Sequence, residues 1–177
     1  MELRKEIEAQ FDIAEKRYPE ILKSIIDYAE FCDENGDEGN IEYEKLENRL
    51  HKLTRKDISK FNLWEWWEEE GAEVLAFRIA LPNPIRVDNV TKEELSEIVR
   101  NRIECNKECK LKNDIEGQSF NEQFRFYMDQ YYHEFLKINF KTYDYKRIFG
   151  QQKDKNKKVF WFTNAEKIDK LWNEGKR

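Results

Sequence analysis

The chain has 177 residues, of which 39% are apolar, 39% charged and 14% aromatic, enough to bury one core of ordinary domain size and too few for two enzyme-sized lobes. A mean hydropathy of -0.98, with no purely apolar stretch longer than the four residues of Val74-Leu75-Ala76-Phe77, excludes a membrane-spanning helix, which needs about 20 such residues. Three cysteines and six glycines exclude a disulfide scaffold and a collagen-like repeat.

The net charge of -5 is unevenly spread. Residues 1–90 hold 13 Lys and Arg against 22 Asp and Glu, a balance of -9, and residues 91–177 hold 19 against 15, a balance of +4. An acidic N-terminal half favours encounter with a basic partner. The start, Met1-Glu2-Leu3-Arg4-Lys5, has neither the apolar run nor the small-residue cleavage site of a secretory signal, so a cytosolic location is expected.

Leu3, Ile7, Phe11, Ala14 and Tyr18 recur at three- and four-residue spacing, which predicts an amphipathic helix over residues 2–17. Pro19 suits the first turn of a new helix, and Leu22, Ile25, Ile26 and Ala29 carry that one to about Cys32. The stretch Asp33-Glu34-Asn35-Gly36-Asp37-Glu38-Gly39-Asn40 has no apolar residue and two glycines and reads as a loop.

Within that loop Asp33, Asn35 and Asp37 stand at the first, third and fifth places of an EF-hand calcium loop, which alternates oxygen ligands, turns on a glycine and closes on a glutamate at the twelfth place. The register then fails. Counted without a gap, Glu44 reaches the twelfth place but Glu38 stands where glycine belongs; omitting Glu38 restores Gly39 and brings Lys45 to the end. A solvated acidic turn is the leading reading, with a single calcium site on Asp33, Asn35 and Asp37 as its alternative and no other cofactor expected.

Tyr43, Leu46, Leu50 and Leu53 mark a third helix, and Ile58, Phe61, Trp64 and Trp67 a short fourth that ends near Glu70 with Gly71 as its stop. On that helix Trp64 and Trp67 share a face and Trp66 is displaced from it. Large aromatics ringed by carboxylates make good interface anchors, so Glu65, Trp66, Glu68 and Glu69, together with Asp37, are the expected partner-binding residues.

The apolar run from Glu73 to Leu81, rich in valine, isoleucine and phenylalanine and ended by Pro82-Asn83-Pro84, predicts a buried strand. Thr91-Lys92-Glu93-Glu94 is a capping box that opens a helix over residues 92–105. Cys105 and Cys109 lie near its end, but a structural zinc site needs a second close pair, so free thiols are expected. A second capping box, Ser119 to Glu122, opens a helix to about Leu136 whose Phe124, Tyr127, Met128, Tyr131 and Phe135 form an aromatic stripe. His133 on that helix reads as a half-buried helical residue in preference to a general base.

Alternation at Ile138, Phe140 and Thr142 predicts extended chain continuing to Phe149, with residues 159–162 returning as the second strand of a hairpin. Lys153, Lys155, Lys157 and Lys158 beside Phe160-Trp161-Phe162 resemble a nucleic-acid surface in composition, yet a chain of pI about 5.4 lacks the basic footprint, and nucleic acid is not expected as a partner. A third capping box, Thr163 to Glu166, opens a final helix closed by Gly175.

The order of elements predicts an α+β fold in a single domain: a helical N-terminal part over residues 1–70, packed with a small, mostly antiparallel sheet and further helices over residues 71–177. The glycines form no phosphate-cradling loop, the serines no nucleophile elbow, and 37 acidic residues make no carboxylate pair stand out, so no catalytic residue is assigned. The expected function is a non-enzymatic cytosolic protein-binding module engaging a basic protein through an acidic, tryptophan-containing face. Immunity proteins and other small inhibitors share this general character, though no shared residues support the comparison. A hydrolase or nuclease with unrecognised carboxylates is the remaining alternative.

Overall fold

The computed structural model describes residues 1–66, 71–104 and 118–175. The fold is α+β and dominated by helices, with one two-stranded antiparallel sheet among the described residues. Two compact units make it up: Ala9–Asn83, and a second formed by Met1–Glu8 with Pro84–Arg177. Along the chain the boundaries fall at 8/9 and 83/84. No described helix is long and apolar enough to cross a membrane.

In the unit Ala9–Asn83, α1 is one helix, Phe11–Asn35, where two were expected. Pro19 lies inside it and has no N–H to offer the preceding turn. Ala14, Ile21, Ser24, Ile25, Tyr28 and Cys32 keep one buried stripe running through the proline, and burial of that stripe outweighs a single missing hydrogen bond. The expected start at residue 2 is also corrected. The N–H groups of Ile7 and Glu8 both donate to the Arg4 carbonyl in a local turn, and Leu3 and Ile7 are buried in the other unit. A periodic stripe that read as one helix face serves two separate cores.

Helix α2, Ile41–Thr54, follows the expected third helix closely and buries Leu46 and Leu50. The first part of the expected fourth helix is a 3-10 turn at Ile58–Lys60 and irregular chain through Glu65; Trp66 is helical, and Trp67 to Glu70 lie outside the described residues. The largest correction is α3, Ala72–Ala80, a helix where a strand was expected. Seven of its nine residues are buried, so no polar face breaks the run and apolar pattern alone does not distinguish helix from strand. Phe77, fully buried, stacks on Phe11 of α1 with ring centroids 5.7 Å apart.

The second unit opens its first helix, α4, Lys92–Glu97, with the expected capping box, and the chain continues as a π-helix from Ile98 to Glu104. Glu94, 5% exposed, serves the cap and also takes Arg4 Nε at 2.6 Å. Glu8 likewise ties the first residues down, accepting from Arg102 Nη2 at 3.1 Å and from the Tyr132 hydroxyl at 3.2 Å. Cys105 and Cys109 lie outside the described residues.

The expected helix over 119–136 is broken at Met128 into α5, Phe120–Phe124, a 3-10 turn, and α6, Asp129–Asn139. The extended chain expected over 138–149 is not found: α6 continues to Asn139, whose side chain bonds the Phe135 and Ile85 carbonyls, and α7, Tyr145–Ile148, is capped by Asp144. The hairpin is shorter and later. Strand β1, Gln152–Lys153, pairs antiparallel with β2, Val159–Phe160, in the register Gln152 to Phe160. Helix α8, Asn164–Gly175, starts on the expected Thr163–Glu166 box. Its Lys167, buried, pairs with Glu104 at 2.8 Å over the Phe149 ring.

Candidate functional site

The acidic residues between α1 and α2 are organised by one carboxylate. Gly36 ends α1 at φ 68°, a left-handed conformation that costs glycine little, and its N–H returns to the Cys32 carbonyl. Gly39 at φ 87° and Asn40 at φ 58° complete the turn. Asp37 then accepts the free N–H groups of Glu42 at 3.1 Å and Tyr43 at 2.9 Å, capping α2 from outside its first turn, and the Tyr28 hydroxyl at 3.3 Å. Desolvation works to raise the Asp37 carboxyl, but the Tyr43 and Glu42 amides and the Tyr28 hydroxyl outweigh it and hold the group below the usual carboxylate range.

A testable consequence follows for acid stability. Because its folded value is depressed, Asp37 contributes stability that is fully present above the ordinary carboxylate value and lost as pH falls through the folded one. Asp37→Asn is expected to unfold more readily in urea at neutral pH than the parent, with the difference shrinking as pH falls below the ordinary carboxylate value. A difference that stays constant across that range would assign the loss to shape alone.

The three residues of the calcium reading are used differently. Asp33 and Asn35 are helical residues of the last turn of α1, and the Asn35 amide donates to the Phe31 carbonyl at 3.1 Å, while Asp37 serves α2. The irregular loop is thus 36–40, shorter than the expected 33–40. Among the described residues no group of three or more His, Cys, Asp and Glu side chains is placed to hold a metal ion.

Of the expected partner-binding residues, Asp37 and the exposed Glu65 lie in the described part of this unit, Trp66 is half-buried, and Glu68 and Glu69 lie outside the described residues. Sequence reading missed the tryptophan that reaches the Asp37 cap. Asn62 Oδ1 accepts the N–H groups of Trp64 and Glu65, a tight turn that encloses the buried Leu63 and leaves Trp64 38% exposed. A cleft of about 440 Å³ results, lined by Tyr28, Asp37, Glu38, Asn40, Tyr43 and Trp64. The Tyr28 ring meets Tyr43 at 5.8 Å and 70°, and Trp64 at 6.0 Å and 69°. Burial, with the Cys32 and Asp37 contacts, pushes the Tyr28 hydroxyl well up and keeps it a donor.

Charge segregates along the same division. Ala9–Asn83 holds 10 Lys and Arg against 18 Asp and Glu, a balance of -8, whereas the rest of the chain holds 22 against 19, a balance of +3. Between Lys23 and Lys45 there are eight acidic residues and no basic one.

A second cleft, of about 510 Å³, lies in the other unit around His133, which shares a 3.0 Å hydrogen bond with Tyr143 and packs edge-on against Tyr145 and Phe149. Burial raises the Tyr143 hydroxyl, followed by the nearby charges of Glu134, Tyr145 and Asp144. The four serines make local hydrogen bonds: Ser24 donates to the Glu20 carbonyl and Ser59 to Asp57, Ser96 accepts from Arg100 Nε at 3.2 Å, and Ser119 is a cap. On the hairpin, Val159, Phe160 and Trp161 are exposed beside the exposed lysines, with Trp161 at 59%.

Comparison with protein-family models, curated proteins and solved structures returned no match for this chain.

Proposed function

We propose that the chain is a non-enzymatic protein-binding module, acting in the cytosol, whose acidic unit Ala9–Asn83 engages a basic protein partner in the manner of an inhibitor or immunity protein. The observation that carries this reading is the aromatic cleft rimmed by Asp37 and Glu38 in a unit of balance -8. Charge of one sign speeds encounter and selects partner sign, while aromatic side chains supply the affinity that charge alone does not. Glu65, Trp66, Glu68, Glu69 and Asp37 are the contact residues of this proposal, and the cleft adds Trp64 to them.

The test is capture of basic proteins on the tagged chain, followed by titration of the captured protein against variants and salt. Trp66→Ala and Glu65→Lys are each expected to weaken binding about tenfold or more, with unchanged thermal unfolding for Glu65→Lys. Rising salt should slow association first. Affinity unchanged in both variants would remove this face from the interface, and capture restricted to acidic proteins would overturn the reading.

A further inference from the structure

The cleft at the α1–α2 junction has the chemistry of a specific ligand pocket. Tyr28, 7% exposed, is its fixed ring, with Tyr43 and Trp64 inclined to it at 70° and 69°. Parallel rings make a slot for a flat guanidinium, whereas rings at steep angles surround a rounded group. Aromatic faces are electron-rich and attract a cation most strongly where water is displaced. Two of the six lining residues are carboxylic acids, Asp37 and Glu38, and none is basic. Asp37 is held ionised by the α2 amides it caps.

The walls are also set before any ligand arrives. Tyr43 is tied to Asp37 through its own N–H, Tyr28 through its hydroxyl, and Trp64 is fixed by the Asn62 turn, so little ordering remains at binding. We propose that this cleft is a cation pocket that seats the alkylammonium head of a lysine-type side chain presented by the basic partner. The proposal rests on the partner reading above and gives that reading its anchoring contact.

The experiment titrates the full chain with tetramethylammonium, blocked lysine, blocked arginine and the neutral isostere 3,3-dimethylbutan-1-ol, read by the aromatic NMR signals of Tyr28, Tyr43 and Trp64. Both ammonium probes are expected to shift these signals saturably, blocked arginine more weakly and the alcohol not at all. Tyr43→Leu and Trp64→Leu, checked for an unchanged thermal midpoint, are expected to weaken the ammonium probes about tenfold. Equal binding of the alcohol would reduce the cleft to an apolar hollow, preference for arginine would overturn the shape argument, and undiminished binding in both variants would move the site elsewhere. A basic protein that binds the parent and both leucine variants equally overturns the pocket and leaves the partner reading standing. Saturation by the ammonium probes with no basic protein captured upholds the pocket and overturns the partner reading.

Discussion

Phe77→Ala is expected to remove about 3–5 kcal/mol from the unfolding free energy of the unit Ala9–Asn83, the range for deleting a large aromatic side chain from a closed core. Phe77 is fully buried in α3 and stacks on Phe11, so truncation forfeits both the transferred apolar surface and the contacts of the facing ring. Urea unfolding measures the loss, and Phe77→Leu, which keeps most of the volume, should lose clearly less than the alanine variant. A loss under about 1 kcal/mol would mean that the site is not closed.

The second large effect is a pH dependence. Lys56 is 8% exposed, donates to the Arg78 carbonyl at 2.5 Å and lies over the Phe61 ring, with the cations Arg78 and Arg17 nearby. Burial first, and then those two cations, brings its ammonium down from 10.5 to about 8. A lysine whose folded value is depressed keeps its proton longer in the unfolded chain, so stability rises with pH between about 8 and 10.5 and is flat below. The full rise is about 3 kcal/mol. Lys56→Met should abolish it, so the free-energy difference between parent and variant, taken from urea unfolding at a series of alkaline pH values, should change by that amount across the window. A pH-independent difference would mean that Lys56 is solvated when charged. Above pH 10 both proteins should lose stability together, because Tyr131, raised by burial to about 12, and Tyr132, also raised, stay protonated only in the folded state.

What sequence reading captured and missed has physical causes that differ from element to element. The capping boxes at Thr91, Ser119 and Thr163 are local hydrogen-bond chemistry, complete within four residues, and all three open helices where expected. Helix α3 was illegible because a helix with seven of nine residues buried carries too little periodicity to read. Pro19 is a strong local signal that tertiary burial overrides. At the candidate site, Asp37 was legible as a chemically unusual residue, but not as a cap, since its partners depend on the left-handed turn at Asn40. Trp64 was obscured by the assumption of a helix over residues 58–70, which set it on the same face as Trp67 when an Asn62 turn presents it instead.

The discontinuity of the second unit has a consequence for synthesis on the ribosome. Arg4 and its acceptor Glu94 are 90 positions apart, and Glu8 and Tyr132 are 124 apart. At ordinary elongation rates Arg4 is therefore made roughly 5–20 s before Glu94. The unit Ala9–Asn83, by contrast, is one uninterrupted stretch. All of its contacts are available before the last of the other unit has been translated. The leading segment is the part of the chain with the longest wait for its own core, and a fragment cut to begin at Pro84 leaves Glu94 without Arg4 and Tyr132 without Glu8.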